Sequence, residues 1–106
     1  MADDPSRQFD IDLPPEQIAG SYADFANVWH TPNVFVMDFL SLSHPPREEV
    51  DPDTGKRRTT VPARVVSRIR IPPEQVFELA KALTQQLEFW ERETGRRSST
   101  DPIVGD

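Results

Sequence analysis

Asp38 is the one charged side chain inside the chain's most apolar run, Asn-Val-Phe-Val-Met-Asp-Phe-Leu-Ser-Leu-Ser from Asn33 to Ser43. An ionised carboxylate among such neighbours is costly unless a cation and hydrogen bonds hold it. Three roles are open to it: a structural partner for an arginine, a solvated residue on a sheet surface, or a catalytic carboxylate. A later stretch supplies Arg64, Arg68 and Arg70. A buried Asp38–Arg68 ion pair accounts for the carboxylate without catalysis and is the reading adopted.

His30 and His44 are the only histidines. Between them lie roughly ten extended residues at ~3.3 Å each, too long a span for one metal ion to bridge. The spacing favours capping roles for both. With no cysteine there is no disulfide, thiolate nucleophile or Cys-based zinc site. The sequence has no Gly-rich phosphate loop, no Ser-His-Asp arrangement and no clustered carboxylates on one helix face. It therefore predicts a non-enzymatic protein without catalytic residues, cofactor or metal.

Charge is unevenly spread. Six basic residues, Lys56, Arg57, Arg58, Arg64, Arg68 and Arg70, fall in one stretch without an acid. The net charge is −6, from 12 basic and 18 acidic residues, which leaves 6 − 18 = −12 elsewhere. Lys56, Arg57, Arg58, Arg64 and Arg70 are candidate contacts for nucleic-acid phosphates, for the acidic part of a second copy, or for water alone. The acidic remainder would repel a duplex lying broadly on the surface, so self-association ranks first.

The elements that must carry these groups follow from periodicity. Asn33–Ser43 is a central strand with two apolar faces, Val34, Val36, Leu40 and Leu42 with Asp38 on one, Phe35, Met37 and Phe39 on the other. Ser21–His30 alternates as a second strand, joined to the first by the Thr31-Pro32-Asn33 turn. Its Tyr22, Ala26 and Val28 oppose Phe25 and Trp29. Phe9–Leu13 alternates as a short strand, and Thr60–Ile71 as a last one, with Val61, Ala63, Val65, Ser67, Ile69 and Ile71 on one face. Pro72-Pro73-Glu74-Gln75 opens a helix that runs to about Thr94 and stops at Gly95. Val76, Leu79, Ala80, Leu83, Leu87 and Trp90 line one stripe of it.

The expected architecture is α+β: a four-stranded, largely antiparallel sheet with one long C-terminal helix packed on one face. Residues 9–95 form the single domain, residues 44–59 a long mobile loop with three prolines, and residues 1–8 and 96–106 disordered ends. The segments Ile11–Ile18 and Ile69–Val76 echo one another, each an alternating run followed by Pro-Pro-Glu-Gln. Their charges are opposite, Asp10 and Asp12 against Arg68 and Arg70, so the two strands could lie side by side.

One helix covers one face of a sheet, and nothing else in the chain covers the second. Hence a homodimer is expected, with Phe35, Met37, Phe39, Phe25 and Trp29 at its interface. No apolar run reaches the ~20 residues of a membrane span, and the polar start lacks a signal-peptide core, so a cytoplasmic location is the expectation.

The run from Asp12 to Glu91 resembles a small prokaryotic family known as a domain of unknown function. The resemblance rests on Tyr22-Ala23-Asp24-Phe25, on His30-Thr31-Pro32 followed by Phe35 and Asp38-Phe39, and on Val65-Val66-Ser67-Arg68-Ile69 leading through Pro72-Pro73 into the helix. That family commonly has Ser where Thr31 stands and a much shorter loop in place of residues 44–59. The resemblance implies no activity. By architecture alone, a strand-rich half followed by a long helix is also similar to the export chaperone SecB. Together these readings predict an oligomerising, protein-binding module, chaperone- or adaptor-like, with an unidentified protein partner; the alternative is a nucleic-acid accessory protein.

Overall fold

Alternating apolar residues and a tight turn build the centre of the molecule. The computed structural model describes residues 6–98 and 104–105. Strand β1 (Phe25–His30) and strand β2 (Phe35–Leu42) form an antiparallel hairpin. At its turn the Thr31 N–H donates to the Val34 carbonyl at 2.9 Å, and the Asn33 N–H to Thr31 Oγ1 at 3.3 Å. Strands β3 (Arg47–Val50) and β4 (Arg57–Thr60) make a second hairpin. Strand β5 (Ala63–Ile71) returns antiparallel along the free edge of β2. A 3-10 turn (Pro73–Gln75) then leads into α1 (Val76–Thr94). Two residues, Val104–Gly105 (β6), run parallel beside Asn27 and Val28 of β1.

The class is α+β with antiparallel sheets and one C-terminal helix. The single four-stranded sheet of the sequence reading is corrected to two sheets: the three long strands in the order β5-β2-β1, with β6 along the β1 edge, and the separate β3–β4 hairpin. Phe9–Leu13 has no strand partner, and Phe9 and Ile11 stay 81% and 86% exposed. Its acidic residues therefore do not lie beside the basic strand. What the echoed motifs share is the turn alone. Pro14 and Pro72 are both extended, at φ −58° ψ 142° and φ −68° ψ 145°, and each precedes a 3-10 turn. The first turn stops at Gly20, whose φ is +70°; the second continues as α1.

Residues 44–59, read as a loop, hold most of the second hairpin. Its tip is tied by hydrogen bonds from the Asp51 N–H to the Lys56 carbonyl (2.8 Å) and from the Asp53 N–H to Asp51 Oδ1 (2.8 Å). Gly55, with φ +72°, supplies the left-handed turn residue. Residues 1–5, 99–103 and 106, part of the ends expected to be disordered, lie outside the described residues.

Register decides which side chains share a face. Phe35 pairs with Ile71, Met37 with Ile69 and Phe39 with Ser67; then Leu40 pairs with Val65, so Val66 is an extra residue. This bulge reverses the alternation of β5. The Met37 face therefore carries Ala26, Val28, Phe35, Met37, Phe39, Ile69 and Ile71, while the Asp38 face carries Phe25, Trp29, Val36, Leu40, Arg68, Arg70 and Val65. The single apolar face expected for β5 is thus split between the two sides of the sheet.

The helix is the largest correction. It neighbours the 3-10 turn before it and hardly touches either sheet, and it has no buried residue. Leu83 is 63% exposed and Phe77 68%. Among the described residues only Val36 and Asp38 are buried. The radius of gyration is 19.3 Å, against ~13 Å for a compact chain of this length.

Candidate functional site: an uncovered apolar surface around a carboxylate–arginine pair

Asp38 sits at the middle of the sheet, opposite Asn27 on one side and Arg68 on the other. The central strand buries it, and the antiparallel register brings the guanidinium to it. Arg68 Nε donates to Asp38 Oδ1 at 2.6 Å and Nη2 to Oδ2 at 2.9 Å, a two-pronged grip that a lysine could not reproduce. Trp29 Nε1 donates to Oδ2 at 3.5 Å, and the guanidinium carbon lies 5.7 Å from the centre of the same indole ring. The Arg68 hydrogen bonds hold the Asp38 carboxyl below its ordinary range, against the opposing effect of desolvation, with smaller help from Trp29 and the arginine's charge. Arg68 is raised by the same pairing. The carboxylate is fully engaged and stays ionised. This arrangement fixes register and offers no free base.

Both histidines have local partners. The His30 ring stacks on Phe35 with centroids 5.2 Å apart, and His44 Nδ1 lies 3.1 Å from Ser43 Oγ. Among the described residues no three His, Cys, Asp or Glu side chains gather as a metal site. The side of α1 bearing Phe77, Lys81, Gln85 and Glu88 forms a shallow open groove on one helix, with no second element to close it.

The basic stretch is divided by the fold. Arg68 is held by Asp38, while Arg57 lies 3.6 Å from Glu48 across the second hairpin. Arg58 is paired in register with Glu49. Past the bulge Arg64 turns to the side opposite Arg70. Lys56, Arg57, Arg58, Arg64 and Arg70 therefore do not form one strip, and acids are interleaved with those on the hairpin.

The five residues expected at an oligomer interface also divide. Phe35, Met37 and Phe39 share the Met37 face, whereas Phe25 and Trp29 point to the Asp38 face, where Trp29 packs by the ion pair. The sequence reading missed Asp24, whose carboxylate accepts from the Leu42 N–H at 2.8 Å and Ser41 Oγ at 3.4 Å, clamping the end of β2. It missed Asn27, whose buried Oδ1 has no partner among the described residues. Glu91 was also passed over; the Ser98 N–H and hydroxyl donate to it at 2.9 and 3.0 Å and lower its pKa. The Asp24 and Glu91 contacts join segments distant along the chain or beyond an element's end, which no spacing announces.

Beyond the Asn27 Oδ1, the exposed groups that lack a covering neighbour include apolar side chains. On α1, Leu83, Leu87 and Phe89 are 63%, 40% and 38% exposed, and on the sheet Ile69 is 43% exposed.

No helix among the described residues is long and apolar enough to cross a membrane. No curated protein and no solved structure matches the chain. A family model does, described as protein of unknown function DUF3467, and it spans residues 1–97. The motifs that carry the resemblance are those that build the sheet, the Asp38–Arg68 pair and the entry to α1, and the chain belongs to the DUF3467 family.

Proposed function

We propose that the protein is a non-enzymatic, homo-oligomeric interaction module of the cytoplasm that works by docking other polypeptides, in the manner of a chaperone or adaptor. The observation that supports this most is the exposed apolar stripe of α1 together with the Met37 face, where Ile69 is exposed and Val28, Phe35, Met37, Phe39 and Ile71 are only half-buried. A chain whose described residues bury only Val36 and Asp38 gains its core from association. The carboxylates whose pKa values are lowered, Asp38, Asp51 and Glu91, each accept hydrogen bonds within the chain, and the raised Tyr22 and Arg68 are paired with Asp24 and Asp38.

The nucleic-acid reading has less support, because Arg68 and Arg57 already face carboxylates. The test pairs two measurements on the full chain: its mass in solution, and its ability to hold a thermally unfolding client protein in solution. An oligomer that suppresses client aggregation at stoichiometric ratio supports the reading. Retention on heparin that falls steeply with salt, with no effect on the client, would overturn it in favour of phosphate binding.

A further inference from the structure

Two partly exposed apolar surfaces of matching size lie in the same chain. The helix spans 19 residues, a rod of ~28 Å and ~10 Å width. The central strand spans 8 residues, ~27 Å long, and three strands ~4.8 Å apart make a sheet ~10 Å across. One such helix covers one face of one such sheet. Of the two faces, the Asp38 face carries charge at its centre, with Asp38, Arg68 and Arg70, and is partly roofed by Trp29 and the guanidinium, whereas the Met37 face has Arg64 only at its end beyond the bulge. The Met37 face offers Val28, Phe35, Met37, Phe39, Ile69 and Ile71.

The connection keeps these surfaces of one chain apart. Ile71-Pro72-Pro73 is all that joins β5 to the helical segment. Ile71 and Pro72 each precede a proline and are held extended, and each proline ring fixes its own φ. Pro72 is accordingly extended, at ψ 145°. No glycine is present to turn the helix back over its own sheet. Short, stiff hinges of this kind favour exchange of an element between copies.

We propose that α1 of one chain lies across the Met37 face of a second copy, which returns its own helix in a two-fold exchange. This rests on the homo-oligomer reading above and assigns which surfaces meet. The area is sufficient. A helix footprint of ~28 by ~10 Å against a sheet face of like size, counted on both surfaces and made twice in the two-fold exchange, gives an interface of roughly 1100 Å², above the ~1000 Å² that a specific interface needs.

The chain has no cysteine, so introduced thiols report contacts without background. Met37→Cys and Leu83→Cys are made separately and together in the full chain, with Val28→Cys and Leu87→Cys as a second pair should the first disturb folding. The two single variants are refolded together and mildly oxidised. The exchange then gives a mixed dimer, one Met37→Cys chain disulfide-linked to one Leu83→Cys chain, at least tenfold above the crosslinks of either variant alone. The double variant gives a covalent dimer. A double variant that closes only on itself, as a crosslinked monomer, shows that each helix covers its own sheet and overturns the exchange. A dimer crosslinked only between two Leu83→Cys chains, or only between two Met37→Cys chains, overturns it in favour of helix-to-helix or face-to-face packing while leaving the homo-oligomer reading intact. A monomer without crosslinks overturns both.

Discussion

Leu83→Ala removes most of a side chain from the middle of the helical stripe while introducing the residue with the highest helix propensity. Within one chain Leu83 is 63% exposed, so the isolated protomer has little to lose. In the exchanged dimer that exposed fraction is covered. Full burial of a leucine is worth about 1.5–3 kcal/mol. The 63% still exposed corresponds to roughly 1–2 kcal/mol per copy and 2–4 kcal/mol per dimer, or about 30- to 700-fold in the dimer dissociation constant. Sedimentation velocity over a dilution series measures this, and the far-ultraviolet circular dichroism of the variant should match that of the unaltered chain. A dissociation constant changed less than threefold would refute the reasoning, since it would leave Leu83 facing water in the assembly as it does in the single chain.

Asp38→Asn leaves Arg68 without its carboxylate and should lower the thermal midpoint by several degrees; an unchanged midpoint would mean the pair contributes nothing to stability. The pH dependence has a definite sign. The folded-state pKa of Asp38 is depressed, so its contribution is complete above the ordinary carboxylate range and is lost as pH falls through the depressed value. Arg68 is raised, and its contribution is lost only at alkaline pH beyond its ordinary value. The stability gap between the unaltered chain and Asp38→Asn should therefore be flat from neutral down to mildly acidic pH and close in strong acid; urea melts at several pH values check this. Gly95→Ala places a Cβ on a residue with φ +68° at the end of α1, where no atom lies within 4 Å of it. The cost is conformational alone, about 1 kcal/mol by chemical denaturation. Replacing the hairpin Arg47–Thr60 with a four-residue turn should leave the midpoint within a few degrees, because loop closure changes by only ~0.6 kcal/mol per doubling of length; a collapse would place the hairpin in the assembly's core.

The parts of this fold legible in the sequence are those fixed by local pattern. The apolar run around Asp38 becomes β2, the Thr31-Pro32-Asn33 signal becomes its turn, and Pro73 and Gly95 bracket the helical segment. Asp38 and Arg68 were legible as a pair because a carboxylate in that setting demands a cation. The second hairpin was not, since Arg47–Val50 and Arg57–Thr60 lack apolar alternation and pair through backbone bonds with charged side chains at their flanks. Phe9–Leu13 misled for the opposite reason: it alternates but finds no edge to pair with. The Val66 bulge hides from any period-2 reading, because one extra residue reverses every face after it. The position of α1 was missed because an amphipathic stripe shows which side of a helix is apolar, without saying what the helix lies against.

The mass of the unaltered chain in dilute solution tests the central claim most directly. Each copy weighs 12.1 kDa. Size-exclusion chromatography with light scattering at low micromolar concentration should return twice that mass or a higher multiple, in a single symmetric peak. A 12.1 kDa species that nonetheless unfolds in one cooperative transition would contradict the account, because it would show that a lone chain covers its own apolar surfaces.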